Sequence, residues 1–424
     1  MTTIKTYTAT STDMIQTYLD KLQKGDTLLI KDGIYKDVKL TVKNSGDLKN
    51  LITIRAENKN VIFKGNSVIE LSGNFLYISG IIFDELSKNN SNTINIIGSN
   101  NRVSNCSFLN YTFPQDHIIN IKGQYHRVDH CLFKNITKKG LCIFIYRPDV
   151  IENYILIDNN KFCDRINTDN APNELEIIRI GTSDQSLSSA KCMVINNTFD
   201  NCNGELEIIS VKSCNNIVYG NTITNSYGTI TLRHGNNNIV CKNSIDGKNK
   251  VDSGGIRIVG ENHIINNNLL INLNSESVTT VPICIINGQE KPELNGYYTP
   301  KNCVISNNII LNCSTGFAIG HQLKTDTTVK PSNISLVNNK CYLKKDMEAF
   351  SSSKRVMFNN TATFENNELF VSNLGNIKTN KGLIVNNCID KCDINYSCYG
   401  SCCTVNCDNI DLKLLYIIVS ALVK

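Results

Sequence analysis

The chain has 424 residues and a formal net charge of +5, with 41% hydrophobic and 19% charged residues. This length allows a large buried core, and the mild basic excess suits a polyanionic partner without requiring one. No run of lysines and arginines with interleaved aromatic residues occurs, which argues against a nucleic-acid-binding protein. Tryptophan, a common sugar-stacking residue, is absent, but tyrosine occurs 16 times.

The two ends of the chain carry no membrane signal. The opening Met-Thr-Thr-Ile-Lys has no apolar stretch of the secretory type. The apolar run 414–423 is too short to span a bilayer. We expect no membrane partner, and leave the compartment and the oligomeric state open. The bias towards Asn, Ile and Lys is typical of an AT-rich genome, so a virus-encoded or virion-associated protein is one hypothesis.

Residues 1–26 are predicted to form a cap. Ser11 or Thr12 can N-cap a helix that stops at Gly25. Its apolar face would consist of Met14, Ile15, Tyr18, Leu19 and Leu22. Such a helix covers the open end of a stack of strands, which would otherwise pair with other chains.

A six-residue phrase recurs after residue 27: apolar, any, any, usually Asn, any, apolar. Three copies are Val103-Ser-Asn-Cys-Ser-Phe108, Val194-Ile-Asn-Asn-Thr-Phe199 and Val218-Tyr-Gly-Asn-Thr-Ile223. Short strands and polar turns repeated at this spacing indicate a solenoid, and no helical period separates the copies. The prediction is an all-β fold, a right-handed parallel β-helix with an N-terminal capping helix. The Asn at the bend is expected to adopt left-handed backbone angles and to stack on the next coil's Asn.

A β-sandwich is the alternative fold, but it needs hairpin signals at shorter, regular spacing. We divide the chain into a cap (1–26), a β-helix domain (27–387) and a cysteine-rich tail (388–424). Two longer gaps between phrases, one of which contains residues 287–298, predict loops that decorate the binding face.

The 18 cysteines fall into two groups. Twelve are scattered through the body at positions equivalent to apolar residues, and we interpret them as buried thiols. Six crowd the C-terminus, where disulfides, a metal site and free thiols all remain open. These six are Cys388, Cys392, Cys398, Cys402, Cys403 and Cys407.

The most informative stretch is 204–213, Gly-Glu-Leu-Glu-Ile-Ile-Ser-Val-Lys-Ser. Strand alternation places Glu205 and Glu207 on one face, where two carboxylates repel each other unless a cation lies between them. Lys212 follows at the exit of the strand, and Leu-Arg-His-Gly comes at 232–235.

Stacking of the repeats brings charged residues together. An offset of 24 residues, taken from the phrases at 194 and 218, predicts Glu205 opposite Thr229 and Glu207 opposite Thr231. Four consecutive coils then place one polar set in neighbouring columns: Asn173, Glu174, Glu176, Glu205, Glu207, Lys212, Arg233, His234 and Arg257. A structural ladder of salt bridges is the alternative interpretation of this set.

These residue types favour a cleft that binds an acidic sugar. Oxygen ligands from Asn173, Glu205 and Glu207 suit calcium. Calcium on a uronate carboxylate would acidify the proton on the neighbouring C5. Lys212 would act as the base and Arg233 would stabilise charge or assist the leaving oxygen. The reaction would be a β-elimination.

The same segments resemble polysaccharide lyase family 6, which contains chondroitinase B and related alginate lyases. The resemblance covers roughly residues 5–345 and rests on the stretches 173–183, 204–213, 232–235 and 254–258, together with the opening Gly-Asp-Thr-Leu-Leu-Ile-Lys-Asp-Gly-Ile-Tyr of 25–35.

The resemblance implies roles for individual residues. Lys212 would be the base and Arg233 the acid or charge stabiliser. The implied calcium ligands are Asn173, Glu205 and Glu207, and the implied substrate contacts are His234, Arg257 and Arg179. Family members often have Gly-Gly after the asparagine, where this chain has Glu174-Leu175; that departure would add a carboxylate near the metal.

The expected function is therefore a calcium-dependent lyase acting on an acidic polysaccharide of the alginate or dermatan/chondroitin type. A glycoside hydrolase on the same scaffold would need paired acids with a water between them and no lysine base. A non-catalytic glycan-binding β-helix, either an adhesin or a degenerate lyase, remains the alternative. The sequence does not choose the polymer or decide between endo and exo action.

Overall fold

The strands of the protein form three parallel sheets that run along one axis. The computed structural model describes residues 3–86, 92–112, 116–168, 170–171, 173–351, 362–371, 373–375, 383–386 and 411–423. Successive strands of a sheet come from successive coils of the chain, so each coil contributes in turn to each sheet. The predicted parallel β-helix with an N-terminal capping helix is confirmed.

The first sheet has 14 strands. They are Thr6–Ala9, Thr27–Ile30, Ile52–Ala56, Leu76–Ser79, Arg102–Ser104, Arg127–Asp129, Leu156–Asp158, Met193–Ile195, Ile217–Tyr219, Ile239–Cys241, Ile264–Asn266, Lys301–Ser306, Ser332–Val337 and Ala362–Glu365.

The second sheet follows the first after a short bend in most coils. Its strands are Gly33–Lys36, Val61–Gly65, Ile82–Leu86, Ser107–Tyr111, Leu132–Ile136, Lys161–Ile166, Thr198–Asn203, Thr222–Thr224, Ser244–Asp246, Leu269–Ile271, Asn367–Phe370 and Leu383–Asn386. Two long strands, Ile309–His321 and Lys340–Phe350, continue from the second sheet into the third.

The third sheet carries the candidate site. Its remaining strands are Lys39–Val42, Val68–Leu71, Ile94–Ile96, His117–Ile121, Leu141–Ile145, Ile178–Ile180, Glu207–Lys212, Gly228–His234, Ser253–Ile258, Ile283–Ile286 and Asn373–Gly375. Two 3-10 turns, Ser183–Gln185 and Val278–Thr280, lie in the connections that leave this sheet or enter it.

The helix α1 (Thr12–Leu19) covers the N-terminal end of the β-helix. The side chain of Ser11 caps it by accepting a hydrogen bond from the backbone N–H of Met14, and Ile15 and Leu19 are buried. The helix ends earlier than Gly25. The strand before it, Thr6–Ala9, already pairs with Thr27–Ile30, so the cap and the first coil share a sheet.

Two adjacent residues of the recurring phrase have different structural roles. The third position adopts the left-handed conformation, as at Asn196 with a φ of 55°. The prediction that the Asn at the fourth position also adopts this conformation is wrong. The fourth position forms the buried amide ladder, as predicted, and from Asn197 onwards each side-chain oxygen accepts from the Asn of the preceding coil. The ladder comprises Asn160, Asn197, Asn221, Asn243, Asn268, Asn308, Asn339 and Asn367.

The twelve cysteines of the body are free and buried, as predicted. The six cysteines of the tail lie outside the described residues. The helix α2 (Leu412–Val423) packs through Leu415 and Val419 on the outer face of the first sheet, against side chains that include Met193 and Ile217. Among the described helices, none is long and apolar enough to cross a membrane.

The amide ladder should be a major source of stability, because its members are buried polar groups that satisfy one another. Asn221 accepts two hydrogen bonds from Asn197 and donates to Asn243 and to the carbonyl of Val194. We expect Asn221→Ala to lower the free energy of unfolding by about 2–3 kcal/mol, because it leaves several buried groups unpaired. Urea unfolding followed by circular dichroism measures this change.

The exposed neighbour Thr222 provides the control. Thr222→Ala should change the free energy of unfolding by no more than about 0.5–1 kcal/mol. Equal effects of the two substitutions would contradict a stabilising role for the ladder.

Candidate active site

The floor of the candidate site is one outward-facing column of the third sheet. Alternation along each strand buries Ile178, Ile209, Ile230 and Ile256 in the core. The next residue of each strand therefore points outward. In register, these residues are Arg179, Ser210, Thr231 and Arg257.

The register on this floor differs from the sequence-based prediction. Glu207 lies opposite Thr229 rather than Thr231, although Val194 does lie opposite Val218 in the first sheet. Bulges interrupt the pairing between Glu207 and Ile209 and between Val211 and Lys212. A bulge adds an unpaired residue to one strand, so an offset measured in one sheet does not carry over to another.

The second bulge determines how the predicted catalytic pair is placed. Val211 pairs with Leu232, and Lys212 pairs with His234. Arg233 is thus the extra residue of the bulge, and its side chain leaves the regular column. The pair Lys212 and Arg233 lies on adjacent coils, as predicted.

Three carboxylates meet on one side of the floor. One oxygen from each of Glu176, Glu205 and Glu207 lies within 4.8 Å of the other two. Glu205 is brought there by a close backbone approach at Gly204, where a Cβ would lie 2.4 Å from the carbonyl oxygen of Leu175. The N–H of Leu175 donates to Glu205 Oε2 at 3.2 Å.

The three carboxylates are unequally neutralised. Glu207 contacts the guanidinium of Arg257 and accepts from Ser210. Although burial opposes ionisation, Arg257 and Lys212 hold the pKa of Glu207 below its ordinary value. Burial and the neighbouring Glu176 raise the pKa of Glu205 to about 8.

Glu176 is the least satisfied of the three. It is 1% exposed, and neither of its carboxylate oxygens has a hydrogen-bond partner. Arg179 Nε at 3.3 Å and Lys212 Nζ at 3.7 Å approach Glu176 Oε1 without hydrogen-bond geometry. Burial raises its pKa. Orphaned buried oxygens beside two further carboxylates form a donor set that fits a hard cation such as calcium.

Basic residues and a loop form the opposite side of the site. The guanidinium carbon of Arg233 lies 4.3 Å from the ring centroid of Tyr297, and its N–H groups donate to the carbonyls of Gly296 and Asn295. Ser186 donates to the carbonyl of Leu294. The loop 287–298, predicted to border the binding face, thus folds back over Arg233.

His234 is buried, pairs in register with Lys212 and lies beside Arg233. Burial, together with Arg233 and Lys212, lowers its pKa to about 3, so the imidazole is neutral. Its Nδ1 lies 3.3 Å from Arg233 Nη1 and its Nε2 lies 3.3 Å from Ser183 Oγ. Since the guanidinium can only donate, Nδ1 accepts and Nε2 carries the proton.

The structure thus brings together most of the predicted site residues: Arg179, Glu205, Glu207, Lys212, Arg233, His234 and Arg257. Asn173 is exposed, and its side-chain oxygen accepts from the N–H of Glu174. Glu174 pairs with Lys139 at 2.6 Å rather than joining the carboxylates.

Sequence reasoning did not assign a ligand role to Glu176 or a contact to Tyr297. The signal for Glu176 was present, because Glu-Leu-Glu occurs at both 174–176 and 205–207. The second Glu of the earlier copy joins the cluster. For Tyr297 the sequence holds no comparable signal, since the path of a long loop is not encoded by the repeat.

Solved structures with the same fold include several lyases. The PL6 family alginate lyase AlyGC superposes with a TM-score of 0.82 at 27% identity, over 90% of this chain and 53% of that one. A mannuronic acid specific family 6 lyase from human gut microbiota gives 0.81 at 23% identity, over 99% and 100%. A PL6 alginate lyase complexed with a trisaccharide gives 0.76 at 23%, over 90% and 87%.

This chain spans about half the length of AlyGC. None of the proteins with curated functions matches it. The parallel β-helix of this chain is thus the fold of these lyases. More narrowly, the chain belongs to the chondroitinase B family, whose model matches residues 9–412.

The raised pKa of Glu205 should make the stability of the protein depend on pH and on added calcium. Its folded pKa of about 8 exceeds the ordinary value of 4.5, so this group favours the folded state when protonated. Without metal, its contribution should be lost as pH rises from about 4.5 to about 8. A cation needs the ionised carboxylate, so added calcium should raise the melting temperature more at pH 8 than at pH 5. Thermal unfolding with calcium or with chelator measures this difference.

Glu205→Gln is the matched control, because it keeps the size of the side chain and removes the titration. It should flatten the metal-free pH dependence and reduce the calcium effect. A calcium-induced shift that is the same at both pH values in the unmodified protein would refute the coupling.

Proposed function

We propose that this protein is a calcium-dependent polysaccharide lyase that cleaves a uronic-acid polymer, of the alginate or dermatan/chondroitin type, by β-elimination. The observation that carries the proposal is the position of Lys212 and Arg233 on adjacent coils beside the carboxylates of Glu176, Glu205 and Glu207. The family match supports the reaction class, and the alginate lyases among the similar structures support an acidic polysaccharide as substrate.

The geometry offers a role for each side of the cleft. Glu176, Glu205 and Glu207 would hold the calcium, with Asn173 as the additional ligand that the family resemblance implies. Bound there, calcium would withdraw charge from the uronate carboxylate and acidify the C5 proton. Arg179 and Arg257, both on the floor, add positive charge that favours an anionic sugar.

Lys212 would remove the C5 proton, which passes to its amine nitrogen. The electron pair left at C5 forms the C4–C5 double bond as the C4–O bond breaks. Arg233 would stabilise the negative charge that develops on the sugar or on the leaving oxygen. Neutral His234 would hold Arg233 in position, because its Nδ1 accepts from that guanidinium and burial keeps the imidazole uncharged. The new chain end carries an unsaturated uronate.

The unsaturated product absorbs in the ultraviolet, which gives a direct test. We expect absorbance to rise during incubation with at least one of alginate, dermatan sulfate, chondroitin sulfate and polygalacturonate in the presence of calcium. Chelator should abolish the rise, and restored calcium should recover it. Full activity in excess chelator would refute the role of calcium. Binding of a polymer without any rise would instead favour a non-catalytic glycan-binding protein.

Lys212→Ala should lower kcat by about 10²–10⁴-fold or more, because it removes the general base. The protein should stay folded, with a modest fall in melting temperature, because the core does not contain Lys212 but its charge lies 3.7 Å from the buried carboxylate of Glu176. Lys161→Ala, at an exposed position on the second sheet, is the matched control and should keep full activity. A folded Lys212→Ala protein with near-normal turnover would overturn the mechanism.

A further inference from the structure

Arg233 differs from the other two arginines of the site in the groups that surround it. Arg179 approaches the carboxylate of Glu176 at 3.3 Å, and Arg257 pairs with Glu207. Within the part of the chain that the structure describes, Arg233 pairs with no carboxylate. Its positive charge is therefore not compensated by an ion pair and remains available to an anion that forms during a reaction.

The partners of Arg233 are uncharged groups. Nη1 donates to His234 Nδ1 at 3.3 Å and to the carbonyl of Gly296 at 3.2 Å. Nη2 donates to the carbonyl of Asn295 at 3.3 Å, and the ring centroid of Tyr297 lies 4.3 Å from the guanidinium carbon. No described residue accepts from Nε or from the second hydrogen of Nη2. These partners limit the rotation of the guanidinium and leave two of its N–H groups for a substrate.

The side chain of Gln289 ties together the loop that supplies these partners. Its Oε1 accepts from the N–H of Tyr297 at 2.7 Å, and its own backbone N–H donates to the Tyr297 carbonyl at 2.8 Å. Its Nε2 donates to Asp326 Oδ2 at 2.6 Å. A Cβ at Gly296 would lie 2.5 Å from Gln289 Oε1, so the turn closes tightly on the glutamine side chain. Gln289 thus links the contacts of Arg233 to a neighbouring segment of the chain.

The same loop is anchored to the body of the protein. The backbones of Gly288 and Val329 exchange two hydrogen bonds, of 2.8 and 2.9 Å, in an antiparallel bridge. Tyr297 is 9% exposed and packs in an apolar cluster that includes Val259 and Ile286 of the third sheet. Because the loop is attached at both of these points, the ring and the carbonyls that contact the guanidinium are held in place relative to the sheet.

We propose that Gln289 and Tyr297 are positioning residues, which hold the guanidinium of Arg233 in an uncharged niche from which it stabilises the negative charge formed during β-elimination. The niche consists of the ring of Tyr297, the imidazole of His234 and the carbonyls of Asn295 and Gly296. Neither Gln289 nor Tyr297 transfers a proton, and both act on the rate through Arg233. This inference rests on the proposed function, since it takes Arg233 to act on the reacting sugar.

The first test separates kcat from KM on a polymer that the protein cleaves. Tyr297→Leu should lower kcat about 10–100-fold, because it removes the ring that stacks on the guanidinium, and should change KM by less than about twofold. Gln289→Met should lower kcat in the same direction. Tyr297→Phe keeps the ring, and no described residue bonds to the Tyr297 hydroxyl, so this variant should retain at least about half of the kcat of the unmodified protein.

Gln16→Met is the matched control. Gln16 lies in α1, where it accepts from the backbone N–H of Thr41 and donates to Asp20. The substitution removes the same two kinds of hydrogen bond as Gln289→Met, but far from the site, and should leave kcat unchanged. An unchanged kcat in both Tyr297→Leu and Gln289→Met, in a protein that cleaves a polymer, would overturn the positioning role while the lyase stands.

Chemical rescue distinguishes the niche from general stability. Arg233→Ala removes the guanidinium but keeps the groups around it. Guanidinium chloride, at concentrations that leave the protein folded, should therefore restore kcat severalfold. The recovery should be lost when Tyr297→Leu is added to Arg233→Ala. No recovery, or equal recovery in both proteins, would contradict the niche.

Fluorescence gives a readout that needs no cleavage. The chain contains no tryptophan, so Tyr297→Trp places a single indole in the loop. Acrylamide should quench its emission at least about twofold more strongly when Arg233→Ala or Gln289→Met is added, whereas Gln16→Met should have no effect. An unchanged quenching constant would overturn the niche whether or not a polymer is cleaved. The expected change without cleavage of any polymer would refute the proposed function, and with it the role of the niche in the reaction.

Discussion

Parallel pairing between coils is the constraint on which the rest of this protein depends. Each coil lies directly over the last, so residues far apart in sequence become neighbours along the axis. The buried asparagine ladder fixes this relation at the bend between the first and second sheets, because each ladder Asn from Asn197 to Asn339 bonds both the coil before it and the coil after it. Because the coils are held in this relation, the third sheet aligns residues from separate coils in one column, among them Arg179, Ser210 and Arg257.

The candidate site lies where this regularity is interrupted. The bulge after Val211 turns Arg233 out of its column, and the close approach at Gly204 draws Glu205 towards the backbone of Leu175. A regular ladder would have spread these side chains at even intervals. Two local irregularities instead gather basic groups on one side and carboxylates on the other. Burying Glu176 without hydrogen bonds costs stability, and the proposed calcium would offset that cost.

The sequence predicted most of this arrangement, since a recurring six-residue phrase sets both the fold and the approximate stacking. It placed Glu205, Glu207, Lys212 and Arg233 near one another correctly. The register of Glu207 was wrong because a bulge shifts the pairing locally, and no periodic pattern reveals where a bulge falls. The path of the loop that brings Tyr297 to Arg233 depends on tertiary packing alone. The packing of α2 on the first sheet also depends on tertiary contacts, because the strands that it contacts lie far from it in sequence.

The free cysteines of the core allow a thiol reagent to detect the opening of each region of the β-helix separately. They occur from Cys106 to Cys341, and nearly every coil between these positions contains at least one. A buried thiol is inert, since burial raises its pKa, as for Cys192 and Cys313 to about 12, and water-borne reagents cannot reach it. Each becomes reactive only when its own coil opens. The order in which a thiol reagent labels them would therefore record whether the rod frays from its ends or comes apart in the middle.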